Sequence, residues 1–527
     1  MKKNILITFI LIFISINIFS QDREQLYFRF IRQDSMNRIY GVGIIDSETG
    51  SKVNCYRFSY DSGRIVSVEY LKRGKGLSDP LFGVPSMEIS YEGNYIKRTF
   101  TDSSGKPVPD ENGVYSTRLK LDESGRTSSV FYYDKLGNLK ANAKGISAEI
   151  WTLDKNGRRI SSFFLDNFGE RILDIHGTYQ DYYKYDESGN IIERGSYGRD
   201  GKPHNSDING IAFYQWLYDS KGNVISEMRF NSDRKPASGE TGVAVSSFFY
   251  DENGYMLEKR NLNDRNQLIE DNRKVALYKW IYDDFGNRVR EEHYNRNRVL
   301  TADEHGVSIY TWTHYNQGNE LEQYNLDETE NPVEDDMGMA SYRWIYDFRG
   351  NILEEKHYGL DNKLKEDLWG ISIYKWFYSE EGLRVQSESY SDYNILKKDS
   401  LNVAVYKWEY DGKGNMITER HYNENEEASP NRDGIFMYKW SYDEDGNPVE
   451  KINTGLYGQF RADSNGVAIN RWTWDSRGNL ETESNFGIDE QLVENSVGIA
   501  IAEFEYDKQG NPLTMVRFNR KNVLISD

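Results

Sequence analysis

Three Glu-x-His pairs could in principle move a proton or hold a metal: Glu291/His293, Glu355/His357 and Glu419/His421. On a β-strand, residues i and i+2 share a face, so each pair sets a carboxylate beside an imidazole. The pairs recur every 64 residues. With four strands between them at ~4.8 Å each, successive pairs lie ~19 Å apart. Zinc needs its ligands within ~2 Å, and one Glu with one His is an incomplete site. The pairs therefore read as repeated surface pairs, candidate ligand contacts without a catalytic or metal role.

Asp-rich turns are the second candidate. Asp443-Glu-Asp445-Gly-Asn447 comes nearest to a calcium loop, but the EF-hand spacing and its closing Glu are missing. The same position is Tyr315 and Ser379 elsewhere, which favours turn capping. GxSxG, HExxH, Walker A and pre-helical GxGxxG motifs are absent. Neither an enzyme nor a cofactor is expected. Aromatic rings are the third candidate: 39 Tyr, 24 Phe and 11 Trp. Such rings can stack on sugars or fill a core. Other long apolar residues are scarce, so the Trp column is expected to be core.

These residues sit on a repeat. Trp216, Trp280, Trp312, Trp344, Trp376, Trp408, Trp440 and Trp472 fall on a 32-residue grid, which Phe248 and Phe504 complete. Backwards, Tyr183, Trp151 and Leu119 continue it, with fainter copies at Ile89 and Phe58. Within a unit, Ala276, Tyr278, Trp280 and Tyr282 alternate with Val275, Leu277, Lys279 and Ile281, a period of two that marks a strand. Asp-x-x-Gly-Asn follows as a hairpin loop, then a return strand such as Asn351 to Tyr358, then a polar connection with an Asx column (Asp271, Asp303, Asp335, Asp367, Asp399, Asn431). One hairpin cannot bury its own aromatic face, so neighbours must. The fold expected is all-β: tandem 32-residue hairpins stacked into an elongated or spiralling solenoid-like sheet. Residues 21–112 read as degenerate repeats or a cap, and 113–527 as a regular array of about 13 units. A second rhythm overlies the first: Glu227, Glu291, Glu355, Glu419 and Glu483 alternate with Lys259, Gln323, Ser387, Lys451 and Met515. Asp527 falls in the Asx column, so the array is expected to run to the last residue without an appended domain.

Lys2 and Lys3, the apolar run Ile5 to Phe19 and the small Ser20 read as a signal peptide over residues 1–20. The single cysteine, Cys55, excludes an intrachain disulfide, and no Asn-x-Ser/Thr acceptor occurs. Together these point to a secreted or cell-envelope protein of a bacterium, without stable membrane insertion after signal removal. A net charge of −19 disfavours nucleic acid.

The kernel Tyr-Asp-x-x-Gly-Asn, as at Tyr218/Asp219/Gly222/Asn223 and Tyr410/Asp411/Gly414/Asn415, resembles the YD or RHS repeats of bacterial surface and toxin proteins. The resemblance implies hairpins paired into a long spiralling sheet that can wrap into a shell. The unit here is longer, 32 residues against roughly twenty. The function expected is a non-enzymatic binding or structural scaffold for a glycan or another envelope protein. The alternative is an RHS-like shell or toxin-associated scaffold enclosing a cargo polypeptide.

Overall fold

The computed structural model describes residues 24–525, apart from positions 35, 73, 77–81, 103, 206–209, 240, 316–319, 348–350, 380–381, 413–414, 445–446, 476–479 and 507–511. The signal segment, Gly414 and Asp445 lie outside the described residues. The fold is all-β. Among the described residues, 34 strands form one sheet, and the only α-helix is the four-residue Ser47–Gly50. From residue 86 onward the main strands pair with the next in sequence, always antiparallel.

The unit containing Trp280 shows how the residues build this. Strand Leu277–Tyr282 returns as Arg288–Tyr294, with Tyr278 opposite His293 and Trp280 opposite Glu291. Asp283 makes the turn between them. Its Oδ1 accepts the N–H groups of Phe285 (3.0 Å) and Asn287 (2.8 Å), and its Oδ2 accepts Asn287 Nδ2 (2.9 Å). This is the capping role expected of the Asp-rich turns.

The polar connection is more regular than its composition suggests. Asn295 Oδ1 accepts from Asn297 N and Val299 N, and Asp303 Oδ1 from His305 N and Val307 N. This unit thus carries three Asx turns, with a single-residue bridge, Tyr294 to Leu300, closing the second. The fourth residue of each turn is left-handed: Gly286 at φ 87°, Arg298 at 62° and Gly306 at 85°. Arg298 belongs to a column of non-glycine residues in this region, among them Arg234, Asn266, Glu330 and Glu426. Gly458 fills the same column with open space around its missing Cβ. A side chain in this conformation costs roughly 1–2 kcal/mol. Arg298→Gly is therefore expected to raise stability by up to about 1 kcal/mol, less the added unfolded-state entropy. Chemical denaturation of the two proteins measures it.

The core differs from the expected one. It is a column of aliphatic residues two positions before each first strand: Val275, Val307, Met339, Ile371, Val403 and Ile435, all at most 1% exposed. The next position is small in most units, as in Ala276, Ser308, Ala340 and Ala404, with Phe436 the exception after Ile435. Backbone crowding explains this, since Ala276 N–H donates to Tyr294 O while its carbonyl accepts from Asn261 N. Of the grid tryptophans only Trp151 is buried; the eight from Trp216 to Trp472 are half-buried. Hairpins pair edge to edge along one continuous sheet. From Trp216 to Trp440 each of these rings packs on the tyrosine two residues before it, as Trp280 stacks on Tyr278 at 5.8 Å. Aromatic packing of the expected kind is found near the N-terminus, where Phe58, Met87, Phe100 and Val114 form a buried cluster.

The sheet also coils back on itself. Arg32 Nη1 donates to Lys221 O (2.9 Å), and Phe30 packs edge-on against Tyr255 (5.0 Å). Asn54 N donates to Phe285 O (2.9 Å) and Asn54 Nδ2 to Asn287 Oδ1 (2.8 Å). These partners belong to three successive Asp turns. Across separations of 189 to 233 residues, roughly six to seven units of 32, the first strands thus dock on the turn tips of the later array.

Candidate functional site

The Glu-x-His residues lie on the face that carries the Tyr and Trp rings. They are not surface pairs: His293, His357 and His421 are 0%, 4% and 1% exposed. Each histidine Nε2 lies 2.8–2.9 Å from Oε1 of its glutamate. Nδ1 of His293 faces Val307 O at 3.2 Å, and Nδ1 of His421 faces Ile435 O at 2.9 Å. In intervening units asparagine serves the same carbonyl. Asn261 Nδ2 donates to Val275 O, Asn325 Nδ2 to Met339 O and Asn453 Nδ2 to Val467 O, at 2.9–3.0 Å. The histidines of the first and third pairs therefore hold one unit to the next. Their burial follows from sitting between the tyrosines of their own unit and the next, Tyr278 and Tyr310 for His293, Tyr406 and Tyr438 for His421.

Glutamate and tryptophan complete the station. Trp280 Nε1 donates to Glu291 Oε2 (2.9 Å) and Trp408 Nε1 to Glu419 Oε2 (2.8 Å). Burial pushes the Glu291 carboxyl up, but hydrogen bonds from His293 and Trp280 and the charge of Arg288 more than offset it, so it lies below its ordinary value. Glu419 behaves alike, through His421 and Trp408. A depressed carboxylate stabilises the fold fully above the ordinary value of 4.5, and that contribution is lost as pH falls through the lower folded value. Acid unfolding followed by tryptophan fluorescence should therefore lose part of its slope below about pH 4.5 in Glu291→Gln/Glu419→Gln. A slope identical to that of the parent would refute the assignment.

The Asx column has a second use. While Oδ1 caps the turn, Oδ2 accepts the hydroxyl of the tyrosine seven residues on. Tyr278 donates to Asp271 (2.7 Å), Tyr310 to Asp303 (3.1 Å), Tyr342 to Asp335 (2.7 Å), Tyr374 to Asp367 (2.9 Å) and Tyr406 to Asp399 (2.6 Å). Burial first, and the adjacent carboxylate second, push the Tyr278 and Tyr342 hydroxyls far above the ordinary tyrosine range. The recurring Asp-x6-Tyr spacing was the signal for this link. Each such tyrosine in turn lies along a tryptophan ring. Seven pairs recur from Tyr214/Trp216 to Tyr438/Trp440, with centroids 5.5–6.0 Å apart. No group of three or more potential metal ligands occurs among the described residues. A cavity of about 350 Å³ opens over the middle station, lined by Tyr342, Glu355, His357, Asp367, Trp369, Tyr374 and Trp376 together with Met337 and Met339.

No protein-family model matches the sequence, and no curated protein matches it. Solved structures do match. The chain is similar to TcdB2-TccC3-TEV at 13% identity, covering 89% of this chain and 27% of that one, with a TM-score of 0.33. It is similar to the Tc holotoxin pore of Photorhabdus luminescens at 12% identity, covering 92% and 26%, with a TM-score of 0.28. A porin-like protein from Bacteroides uniformis matches at 11% identity over 38% of this chain and 86% of its own, with a TM-score of 0.16. The chain thus spans about a quarter of the length of the two Tc toxin chains. What it has in common with those two is coarse: an all-β architecture of antiparallel strands.

Proposed function

We propose that the protein is a non-enzymatic scaffold of a bacterial envelope that binds glycan, or a glycan-bearing envelope protein, through its periodic aromatic face. The observation that supports this is the row of seven Tyr–Trp pairs, six stacked and one tilted, that recur on the 32-residue grid along one sheet face with a single gap at Ser246/Phe248, each tryptophan half-buried. Each ring pair offers a flat apolar surface, with polar groups of Glu, Gln or Asp at its edge. Individually such contacts are weak. Spaced along one rigid sheet they act together on a polymeric ligand, so affinity comes from avidity. A glycan array read with the mature protein tests this: polysaccharides bind and their monosaccharides do not. Absence of binding to any polysaccharide, alongside capture of an envelope protein stripped of glycan, would contradict it.

A second reading has its own support. The docking of Arg32, Phe30 and Asn54 on later turn tips closes one revolution of the sheet. A closed coil can enclose a polypeptide, the shell function of which RHS-type proteins are the example. Protection of a co-expressed cargo from protease would favour this reading over the glycan scaffold.

A further inference from the structure

The three Glu-x-His stations are copies of one another, and comparing them isolates a site in the middle copy. In the first, both carboxylates are neutralised from within: Arg273 Nη2 lies 3.1 Å from Asp303 Oδ2, and Arg288 Nη1 lies 2.9 Å from Glu291 Oε2. In the third, one carboxylate is gone, because Asn431 stands where Asp303 stands. The middle station keeps both acids, Glu355 and Asp367, and loses both arginines. Met337 replaces Arg273 and Ile352 replaces Arg288, each 64 residues on. Among the described residues, His357 is the one side chain within ion-pair distance of either acid.

A second observation points the same way. His357 Nε2 is engaged by Glu355 at 2.8 Å, but its Nδ1 has no hydrogen-bond partner, although the side chain is 5% exposed. In the sister stations this atom meets a backbone carbonyl. Like His293 Nδ1 before Asp303 (3.7 Å), His357 Nδ1 lies 3.6 Å from Asp367 Oδ2, too far for a hydrogen bond, but here the carbonyl partner is missing. His357 and Asp367 both line the 350 Å³ cavity. Glu355, two methionines and four aromatic rings complete its wall, among them Trp369, off the 32-residue grid and 54% exposed.

We propose that this cavity binds a small organic primary ammonium ion, either a free alkylamine or the ammonium of an amino sugar. An N–H group placed between His357 Nδ1 and Asp367 Oδ2 gives the nitrogen its partner and adds a second donor to the oxygen, which already accepts the Tyr374 hydroxyl at 2.9 Å. The charge balances the paired acids, and ring faces favour a cation. The array already uses this chemistry internally. Lys259 Nζ stands 5.3 Å over the Tyr278 ring, and Lys451 Nζ stands 4.4 Å over that of Tyr438. At the position equivalent to Lys259 the middle station has Glu355, so the cation must come from outside. Arg384 stands 5.9 Å from the Trp376 ring but makes no ion pair with Glu355 or Asp367.

The test is calorimetric titration of the full mature chain with ethanolamine, glucosamine, tetramethylammonium and glucose. Both primary ammonium compounds bind, at least tenfold tighter than tetramethylammonium, and glucose gives no heat. Equal affinity for ethanolamine and glucosamine assigns the ammonium alone as the determinant; tighter glucosamine assigns an amino sugar. Asp367→Asn, which keeps the turn cap as Asn431 does, weakens ethanolamine at least tenfold. Met337→Arg supplies the internal cation of the first station and abolishes binding; should it fail to fold, Asp367→Asn decides. Equal binding of glucose and glucosamine, unchanged affinity in Asp367→Asn, or no ethanolamine binding at millimolar concentration overturns the proposal. None of these outcomes depends on polysaccharide binding by the Tyr–Trp stacks.

Discussion

Replacing Asp303 by alanine lowers stability by about 3–5 kcal/mol, the loss expected when one member of a buried charged network is removed. The side chain is fully buried and holds five groups. It caps His305 N and Val307 N, accepts the Tyr310 hydroxyl, pairs with Arg273, and faces His293 Nδ1 at 3.7 Å. Alanine leaves the guanidinium and the phenol facing an apolar gap and frees the turn. Asp303→Asn keeps an oxygen for the two N–H groups, as Asn431 does in its own unit, and sets an amide NH2 where Oδ2 accepted from Tyr310 and paired with Arg273. It should cost less than half as much. Thermal unfolding of the two variants checks this, and equal losses would show that the turn cap is not what Asp303 contributes.

The second large effect is expected in the aliphatic column. Ile435 is fully buried. Ile435→Ala removes buried methyl groups and leaves a cavity between rigid strands, for about 2–5 kcal/mol. Each unit touches its neighbours, so the damage is local. Hydrogen exchange should accelerate first between about residues 403 and 467, one unit either side. Uniform acceleration along the chain would mean that the array melts as a single cooperative body.

Much of this architecture was legible because period two, the Asp-x-x-Gly-Asn turns and the 32-residue grid all point to hairpins. The inside–outside assignment was less so. Trp344, flanked by Tyr342 and Tyr346, looks like core by residue type, yet the ring is half-buried, stacked on Tyr342. The true core uses Val, Ile, Ala and Ser just before each strand, a short run whose smallness reflects backbone crowding invisible in one dimension. The second Asx turn was hidden because its left-handed residue is Arg298 or Glu330 instead of glycine. Glu-x-His was visible as a motif, but its burial was not: the following unit, from Val307 onward, covers His293. The difference between stations depended on residues such as Met337 and Ile352, which are unremarkable until the repeat sets them at the positions of Arg273 and Arg288, the arginines that pair with Asp303 and Glu291.

The division of labour between the two columns, aliphatic for stability and aromatic for binding, is tested most directly on one protein, Trp344→Ala, by measuring its melting and its polysaccharide affinity in the same preparation. Full burial of tryptophan would make the substitution cost roughly 3–5 kcal/mol; a half-buried ring should cost about 1.5–2.5. The account predicts this smaller loss, below that of Ile435→Ala, together with weakened polysaccharide binding. A stability loss matching Ile435→Ala with binding unchanged would place Trp344 in the core and contradict it.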